Sequence, residues 1–372
     1  MYLIVGCGLS GAVIAERISN ILNEKVIIID KLPHIGGNCY DYIDEDTGIL
    51  CNKYGAHIFH TNNEEVWSYI NSFQTKWIRW EHKVLSKVDN RYVSVPINIT
   101  TINELCNETI TNSNEMDIWL KNNQITFDKI NNSEEIALSR IGTTLYDKLI
   151  KNYTYKQWNK YPNELDKSVL ERIPVRNNFD TRYFNDKYQV LPEKGYTEFI
   201  KELLHNPLIT IYLNTDFNDF KQNNDLSIYK KIIFTGKIDT FYHDKGMEKL
   251  EYRSINFIKE VYQNTHFFQQ NSVINYPSPD VPFTRIVEYK HFLNQESPHT
   301  IIFKEITTDY GHPFYPVPNH RNIILYEKYK SLADKEDNII FVGRLANYKY
   351  FNMDEAIANA LSSFYKYMYK QL

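Results

Sequence analysis

Long apolar runs are missing from this sequence, and so are the spacings that mark a metal or disulfide scaffold. No stretch approaches the roughly 18 apolar residues that a membrane-spanning helix needs. Only four cysteines occur among 372 residues, Cys7, Cys39, Cys51 and Cys106. None forms a C-x-x-C pair or a ligand pattern, so reduced thiols and no metal site are expected. An excess of positive charge is missing too. The 42 basic and 46 acidic side chains leave a net charge of -4, which argues against a nucleic-acid surface but allows a basic pocket for an acidic small molecule. The apolar opening YLIVG lacks the basic flank and the length of a secretory leader, and the expected location is the cytoplasm. Internal repeats and long low-complexity linkers are also missing. Aromatic residues are plentiful, with 29 Tyr and 20 Phe. Asn, Ile and Lys are plentiful as well, so only aromatics placed beside charged residues count toward function.

What is present begins with a βαβ pattern. Tyr2–Val5 is a short apolar run suited to a buried parallel strand. Ala12 to Leu22 reads as a helix with Val13, Ile14, Ile18, Ile21 and Leu22 on its apolar face, and Val26–Ile29 as a second strand. Runs of the same kind return at Lys231–Phe234, before Thr235-Gly236, and at Ile339–Val342, before Gly343. The length suits two or three domains, and the scattered runs imply one that is discontinuous. From Thr100 to about Lys160 the pattern is helical. Asn132-x-x-Glu135 resembles a capping box, and Ala137, Ile141, Leu145, Leu149 and Tyr153 recur every four residues. From about Lys167 to Tyr329 prolines and strand-like alternation dominate. There Phe283, Arg285, Val287 and Tyr289 would share one strand face. Met353 to about Tyr369 reads as a closing helix.

The string Gly6-x-Gly8-x-x-Gly11 follows the first strand and opens the first helix, and Asp30 ends the second strand. Gly6 permits the tight turn, Gly8 lets backbone N–H groups near a pyrophosphate, and Gly11 allows helix and strand to pack closely. The helix N-terminus attracts the anion, while Asp30 can accept hydrogen bonds from a ribose. A dinucleotide is therefore expected, and His34-Ile35-Gly36-Gly37-Asn38 bears on which one. A glycine pair just after the ribose-binding acid resembles the loop of FAD proteins in the amine-oxidase and glutathione-reductase superfamily. Gly343-Arg344, and an Asn352-x-x-Glu355 cap on the last helix, fit FAD in the same way.

Beyond the cofactor, the strings Tyr54-Gly55-Ala56-His57-Ile58-Phe59-His60-Thr61, Tyr153-Thr154-Tyr155-Lys156-Gln157-Trp158 and Arg172-Ile173-Pro174-Val175-Arg176 stand out. So do Pro282-Phe283-Thr284-Arg285 with Lys290-His291-Phe292, and Gly343-Arg344 running to Tyr350 and Met353-Asp354. Together they make the chain resemble the bacterial UDP-galactopyranose mutase family along essentially its whole length. That resemblance implies an isomerase that interconverts UDP-galactopyranose and UDP-galactofuranose. Reduced FAD would attack the anomeric carbon through N5 as UDP leaves, with no net redox change. It implies an α/β fold, α+β overall. A discontinuous Rossmann-like FAD-binding domain (residues 1–60, 196–240 and 331–372) would sit beside a helical domain (98–163). A twisted antiparallel sheet for substrate (61–97, 164–195 and 241–330) would complete it. A homodimer, an external electron donor and a product used for cell-surface polysaccharide are implied as well.

The resemblance also distributes roles. Arg172 and Arg285 would neutralise the departing diphosphate, a task suited to planar, permanently charged guanidinium. Arg285 has independent support: on an apolar strand face, a cation needs an anionic partner, whether that is the substrate or a nearby acid. Tyr153 and Trp158 would flank the uracil, although periodicity alone places Tyr153 in the core. Tyr183, Tyr315 and Tyr350 would donate to phosphate, and Asn275 would contact the nucleotide or sugar. Gly6, Gly8, Ser10, Gly11, Asp30, Lys31, Gly37, Asn38, His57, Ile58, His60, Gly343, Arg344, Met353 and Asp354 would hold the cofactor, with His60 near the N5 edge. The polar segment 177–182 would form a lid that carries Arg172 inward.

One position departs from the family pattern. Two residues after Tyr350, where the family usually has an acid, this sequence has Asn352, which keeps capping capacity but loses charge. The sugar therefore stays open between galactose and an N-acetylated analogue. Two rivals remain: a flavin oxidoreductase such as an amine oxidase, and a nucleotide-sugar sensor that keeps FAD structurally. An amine has no need of two diphosphate-suited arginines.

Overall fold

The computed structural model describes residues 1–369; the last three residues of the expected segment 331–372 lie outside the described residues. Five parallel strands form one sheet in the order Ile209–Tyr212, Val26–Ile29, Tyr2–Val5, Ile232–Phe234, Ile339–Phe341. Val5 lies opposite Ile29 on one side and Phe234 on the other. The central strands are nearly unbroken apolar runs because both faces of the sheet are covered. One face carries the helix Leu9–Ile21, which packs against the helix Met353–Phe364. Val13, Ile14, Ile18, Ile357, Ala360 and Phe364 are fully buried in one cluster there. At about 1.5–3 kcal/mol for each large apolar side chain, this layer is a main source of stability. The other face buries Phe217, Tyr229 and Phe234.

Several boundaries differ from the sequence reading. The first helix begins at Leu9, and Ile21, expected on the apolar face, is 37% exposed. Lys231 and Val342 fall just outside their strands. The closing helix ends as an α-helix at Phe364 and widens into a π-type turn over Tyr365–Tyr369.

The helical region contains Ile99–Cys106, Ser113–Asn123, Ser133–Leu145 and Asn152–Trp158. The four-residue ladder holds only in part. Ala137, Ile141, Leu145 and Leu149 are buried together, but Gly142 breaks the helical backbone with φ of 71°. A π-type turn over Tyr146–Lys151 then rotates Tyr153 out of the ladder. The capping box is shifted as well. Asn132 accepts from Glu135 N–H at 2.9 Å, but Glu135 accepts from Asn131 N–H at 2.6 Å, not from Asn132.

The larger sheet has seven strands in the order Tyr315–Pro316, Tyr252–Tyr262, Thr300–Thr308, Arg285–Glu288, Val273–Asn275, Val84–Val88, Arg91–Val95. It is antiparallel except where Val273–Asn275 meets Val84–Val88. The strand expected over Phe283 to Tyr289 is shorter, Arg285–Glu288. Phe283 precedes it and Tyr289 opens a 3-10 turn. Phe59–Thr61, Tyr188–Pro192 and Trp77–Arg79 form a separate small sheet near the first one. No helix among the described residues is long and apolar enough to cross a membrane.

Candidate active site

Where the first strand meets the first helix, two glycine loops lie against each other. Gly36 N–H donates to Cys7 O at 2.8 Å. A Cβ on Gly37, whose φ is 52°, would come within 3.0 Å of Gly8 Cα. A Cβ on Gly11 would sit 2.1 Å from Gly6 O, so only glycine lets the helix start this close to the strand. The helix N-cap is Gly8, which has no side chain to cap the first N–H groups, leaving them for an anion. Asp30 braces this turn: its carboxylate accepts from Cys7 N–H at 2.7 Å and from Leu32 N–H at 2.8 Å. Each oxygen keeps a lone pair for a further donor. The elongated cavity that follows is lined by Gly6, Gly8, Ser10, Asp30, Lys31, Gly37 and Asn38. It runs past Thr235, Gly236 and Gly343 to His57, Arg344 and Met353. Its glycine floor, open helix end and acid fit a dinucleotide.

A second cavity opens at that far end. His57, Arg344, Asn352 and Met353 line both. Its walls come from distant stretches of the chain: Tyr153 and Trp158 from the helix Asn152–Trp158, Arg172 and Tyr183 from the chain after the short helix Ser168–Glu171, and Asn275, Arg285, Glu305 and Tyr315 from the large sheet. Asn275 and Arg285 face each other across adjacent strands. Three guanidinium groups therefore converge on one cleft.

Each cation is held differently. Arg285 Nε donates to Glu305 Oε2 at 2.6 Å, and Glu305 is 2% exposed with Oε1 unpartnered. Burial works to lower the Arg285 pKa, but Glu305, together with Tyr153 and Tyr315, outweighs it and holds the group well above the ordinary arginine range. Arg172 lies 4.1 Å from the centre of the Tyr350 ring. Burial lowers its pKa too, and Tyr350, with Tyr183 and Tyr315, reverses the sign. Arg344 donates to Phe351 O at 3.1 Å and lies 5.1 Å from the same ring. Burial raises the Tyr350 phenol, yet Arg172 and then Arg344 bring it below its usual value. Tyr350 stacks on Tyr315, centroids 5.3 Å apart.

His57 and His60 stand in the wall of this cleft. His57 Nδ1 donates to Gly55 O at 2.7 Å, which leaves Nε2 as an acceptor. Burial, followed by the charge of Arg344, pushes His57 down to about 4. His60 pairs with Asp186 at 2.9 Å and stacks on Phe184.

All eight residues expected at the substrate, Tyr153, Trp158, Arg172, Tyr183, Asn275, Arg285, Tyr315 and Tyr350, line the second cavity. Ile58, His60 and Asp354, expected at the cofactor, line this cavity and not the first; Gly11 lines neither, because its task is packing. Arg285 has the acidic partner that one reading allowed, and it lines the cleft as well. Glu305 and His82 escaped the sequence reading although both line the second cavity. Glu305 gives a signal only once the register Arg285 to Glu305 is known.

Known proteins resemble this chain in both sequence and fold. The UDP-galactopyranose mutase family matches residues 148–350, and an NAD(P)-binding Rossmann-like domain matches residues 4–73. A protein of Klebsiella pneumoniae named "Probable UDP-galactopyranose mutase" is 39% identical over 97% of this chain and 93% of its own length. A dTDP-fucopyranose mutase of Escherichia coli is 37% identical over 96% of each chain. The crystal structure of a reduced UDP-galactopyranose mutase superposes with a TM-score of 0.78 at 17% identity, covering 98% of this chain and 94% of the other. Family and dinucleotide-binding domain together imply a flavin cofactor. By these matches the chain is an isomerase and belongs to the UDP-galactopyranose mutase family.

Proposed function

We propose that this protein interconverts the pyranose and furanose forms of UDP-galactose, using FAD that must be reduced. The observation that carries the reading is the junction of the two cavities: a dinucleotide cradle ends where an arginine-rich cleft begins, and His57, Arg344, Asn352 and Met353 line both. When bound and reduced, the flavin supplies an electron-rich nitrogen able to act as a nucleophile.

The chain's own residues would do the rest. Arg172 and Arg285 neutralise the diphosphate as it leaves the anomeric carbon, where fixed donors count most in a cleft shielded from water. Glu305 fixes the Arg285 fork by holding Nε and leaves the terminal nitrogens for phosphate oxygens. Tyr183, Tyr315 and Tyr350 add hydroxyl donors. Tyr153 and Trp158 offer flat apolar faces to the base, with Asn275 nearby. His57 keeps a neutral ring at the junction and orients cofactor and sugar without carrying charge. His60, set by Asp186, buttresses the same wall. Segment 177–182 acts as a lid. It is tied as a unit by Arg176, which donates to Asp180 O at 3.1 Å and to Asn185 Oδ1 at 3.0 Å. The division into cofactor, helical and sheet domains, the homodimer, the external electron donor and a cytoplasmic location remain parts of this proposal.

The Escherichia coli relative motivates a second reading, in which the substrate is a dTDP-linked 6-deoxy sugar. Asn352, at the junction, also leaves room for an N-acetylated UDP-sugar. Comparing kcat/KM on UDP-galactofuranose, its N-acetylated analogue and dTDP-fucofuranose separates them. The proposal expects UDP-galactofuranose to lead by at least about tenfold, the discrimination that small pocket differences supply. A lead for either competitor would replace the substrate and keep the chemistry.

A further inference from the structure

The loop that joins Asn275 to Arg285 reads YPSPDVPF over residues 276–283. Three of its eight residues are proline, so it has more carbonyl acceptors than N–H donors. A cation from another part of the fold meets that surplus. Lys156 Nζ donates to Ser278 O at 2.9 Å, Val281 O at 3.0 Å and Phe283 O at 2.9 Å, and it also reaches Tyr276 O. Tyr276, Ser278 and Val281 each precede a proline. Lys156 has no carboxylate partner among the described residues; its charge rests on carbonyl dipoles alone.

Lys156 sits on the helix Asn152–Trp158, between Tyr153 and Trp158. The main chain of that helix is itself fastened to the large sheet. Thr307 Oγ1 donates to Lys156 O, and Arg253 Nε donates to Gln157 O at 3.0 Å. One ammonium group thus joins the helix bearing the proposed base-binding aromatics to the loop whose two ends are Asn275 and Arg285.

We propose that Lys156 is a positioning residue for the nucleotide-sugar site, and that its ammonium group fills a carbonyl cage able to accept a free ammonium ion instead. This rests on the substrate reading above. Arg285 keeps its own anchor, Glu305, so loss of Lys156 shifts the loop more than it disarms the guanidinium. The effect therefore falls on KM more than on kcat.

The test uses flavin-loaded Lys156→Met, which keeps the volume, and Lys156→Ala, which opens the cage. Hydrogen exchange of the peptide spanning 276–284 is read without substrate, so it tests the cage even if the substrate reading fails. Wild-type turnover of UDP-galactofuranose tests the substrate reading separately. Both variants should exchange faster in that peptide and show KM raised by about tenfold or more, as expected when binding groups are displaced by around an ångström. Their kcat should stay within about threefold. Ammonium chloride, but not tetramethylammonium chloride, should bring Lys156→Ala back toward wild-type exchange and KM. Wild-type exchange and KM in both variants would overturn the proposal, and so would equal effects of the two salts. Should neither variant fold, wild-type protein labelled with ¹⁵N-lysine decides. Lys290 is also buried, so the spectrum should show a protected NH3⁺ signal that makes NOE contacts with the 276–283 loop, and absence of any such signal would overturn the cage.

Discussion

Replacing Arg285 with alanine should damage turnover and stability for two separable reasons. The side chain donates through Nε to Glu305, a carboxylate only 2% exposed whose other oxygen has no partner. Removing one member of a buried ion pair costs about 3–5 kcal/mol, because the remaining charge stays uncompensated. Arg285 borders an open cleft, so water entering the gap lowers that toward about 3 kcal/mol. At roughly 2–4 °C per kcal/mol for a chain of this order of size, the melting temperature should fall by at least about 6 °C. In the proposed mechanism the same substitution removes a cation from the place where diphosphate charge develops, typically worth about 10²–10³ in rate. The variant Arg285→Ala/Glu305→Gln separates these effects, since a neutral amide no longer strands a charge. Thermal unfolding followed by flavin fluorescence should show at least half of the lost stability regained. Turnover of UDP-galactofuranose under reducing conditions should stay at least about a hundredfold below wild type. Recovery of turnover to within tenfold would refute the reasoning: Arg285 would then serve only to neutralise Glu305.

Three further outcomes follow from the same geometry. Burial lowers His57 and His312 to about 4 and His82 to about 3, aided by Arg344, Lys31 and Arg285 respectively. Their folded pKa values lie below the unfolded value near 6.5. Their contribution to stability should therefore be level above about pH 6.5 and fall toward pH 4 by up to about 4 kcal/mol per pH unit, as three protons bind preferentially to the unfolded chain; urea midpoints of the wild type and of the variant with these histidines replaced check it across that range. Gly11→Ala should yield protein with little or no flavin absorbance, because the new Cβ would lie 2.1 Å from Gly6 O. Trp158→Ala should raise KM for the nucleotide sugar about tenfold, in line with loss of a stacking partner, and leave the flavin spectrum unchanged; steady-state kinetics check it.

Local chemistry made much of the architecture legible. The glycine string, Asp30 and the unbroken apolar runs at Tyr2, Val26, Ile232 and Ile339 together point to a parallel sheet wrapped by helices. The edge strand Ile209–Tyr212 escaped because its residues alternate between half-buried and exposed, and four residues are too few to carry a period. Tyr153 misled in the other direction. It continues a four-residue ladder in sequence, but Gly142 and the π-type turn at Tyr146–Lys151 rotate it into the cleft. The arginines were visible as single residues, whereas their holders were not. Glu305 meets Arg285 only through strand register, and Lys156 meets its four carbonyls only through a tertiary contact across more than a hundred residues. Sequence displayed the groups proposed to touch ligands better than the groups that set them in place.

The most direct measurement of the central claim is product analysis by chromatography after incubating the flavin-loaded protein with UDP-galactofuranose, with and without dithionite. Conversion to UDP-galactopyranose only in the reduced sample, with the flavin unchanged in redox state at the end, is the predicted result. Equal conversion by the oxidised protein, or none by either sample, would contradict it.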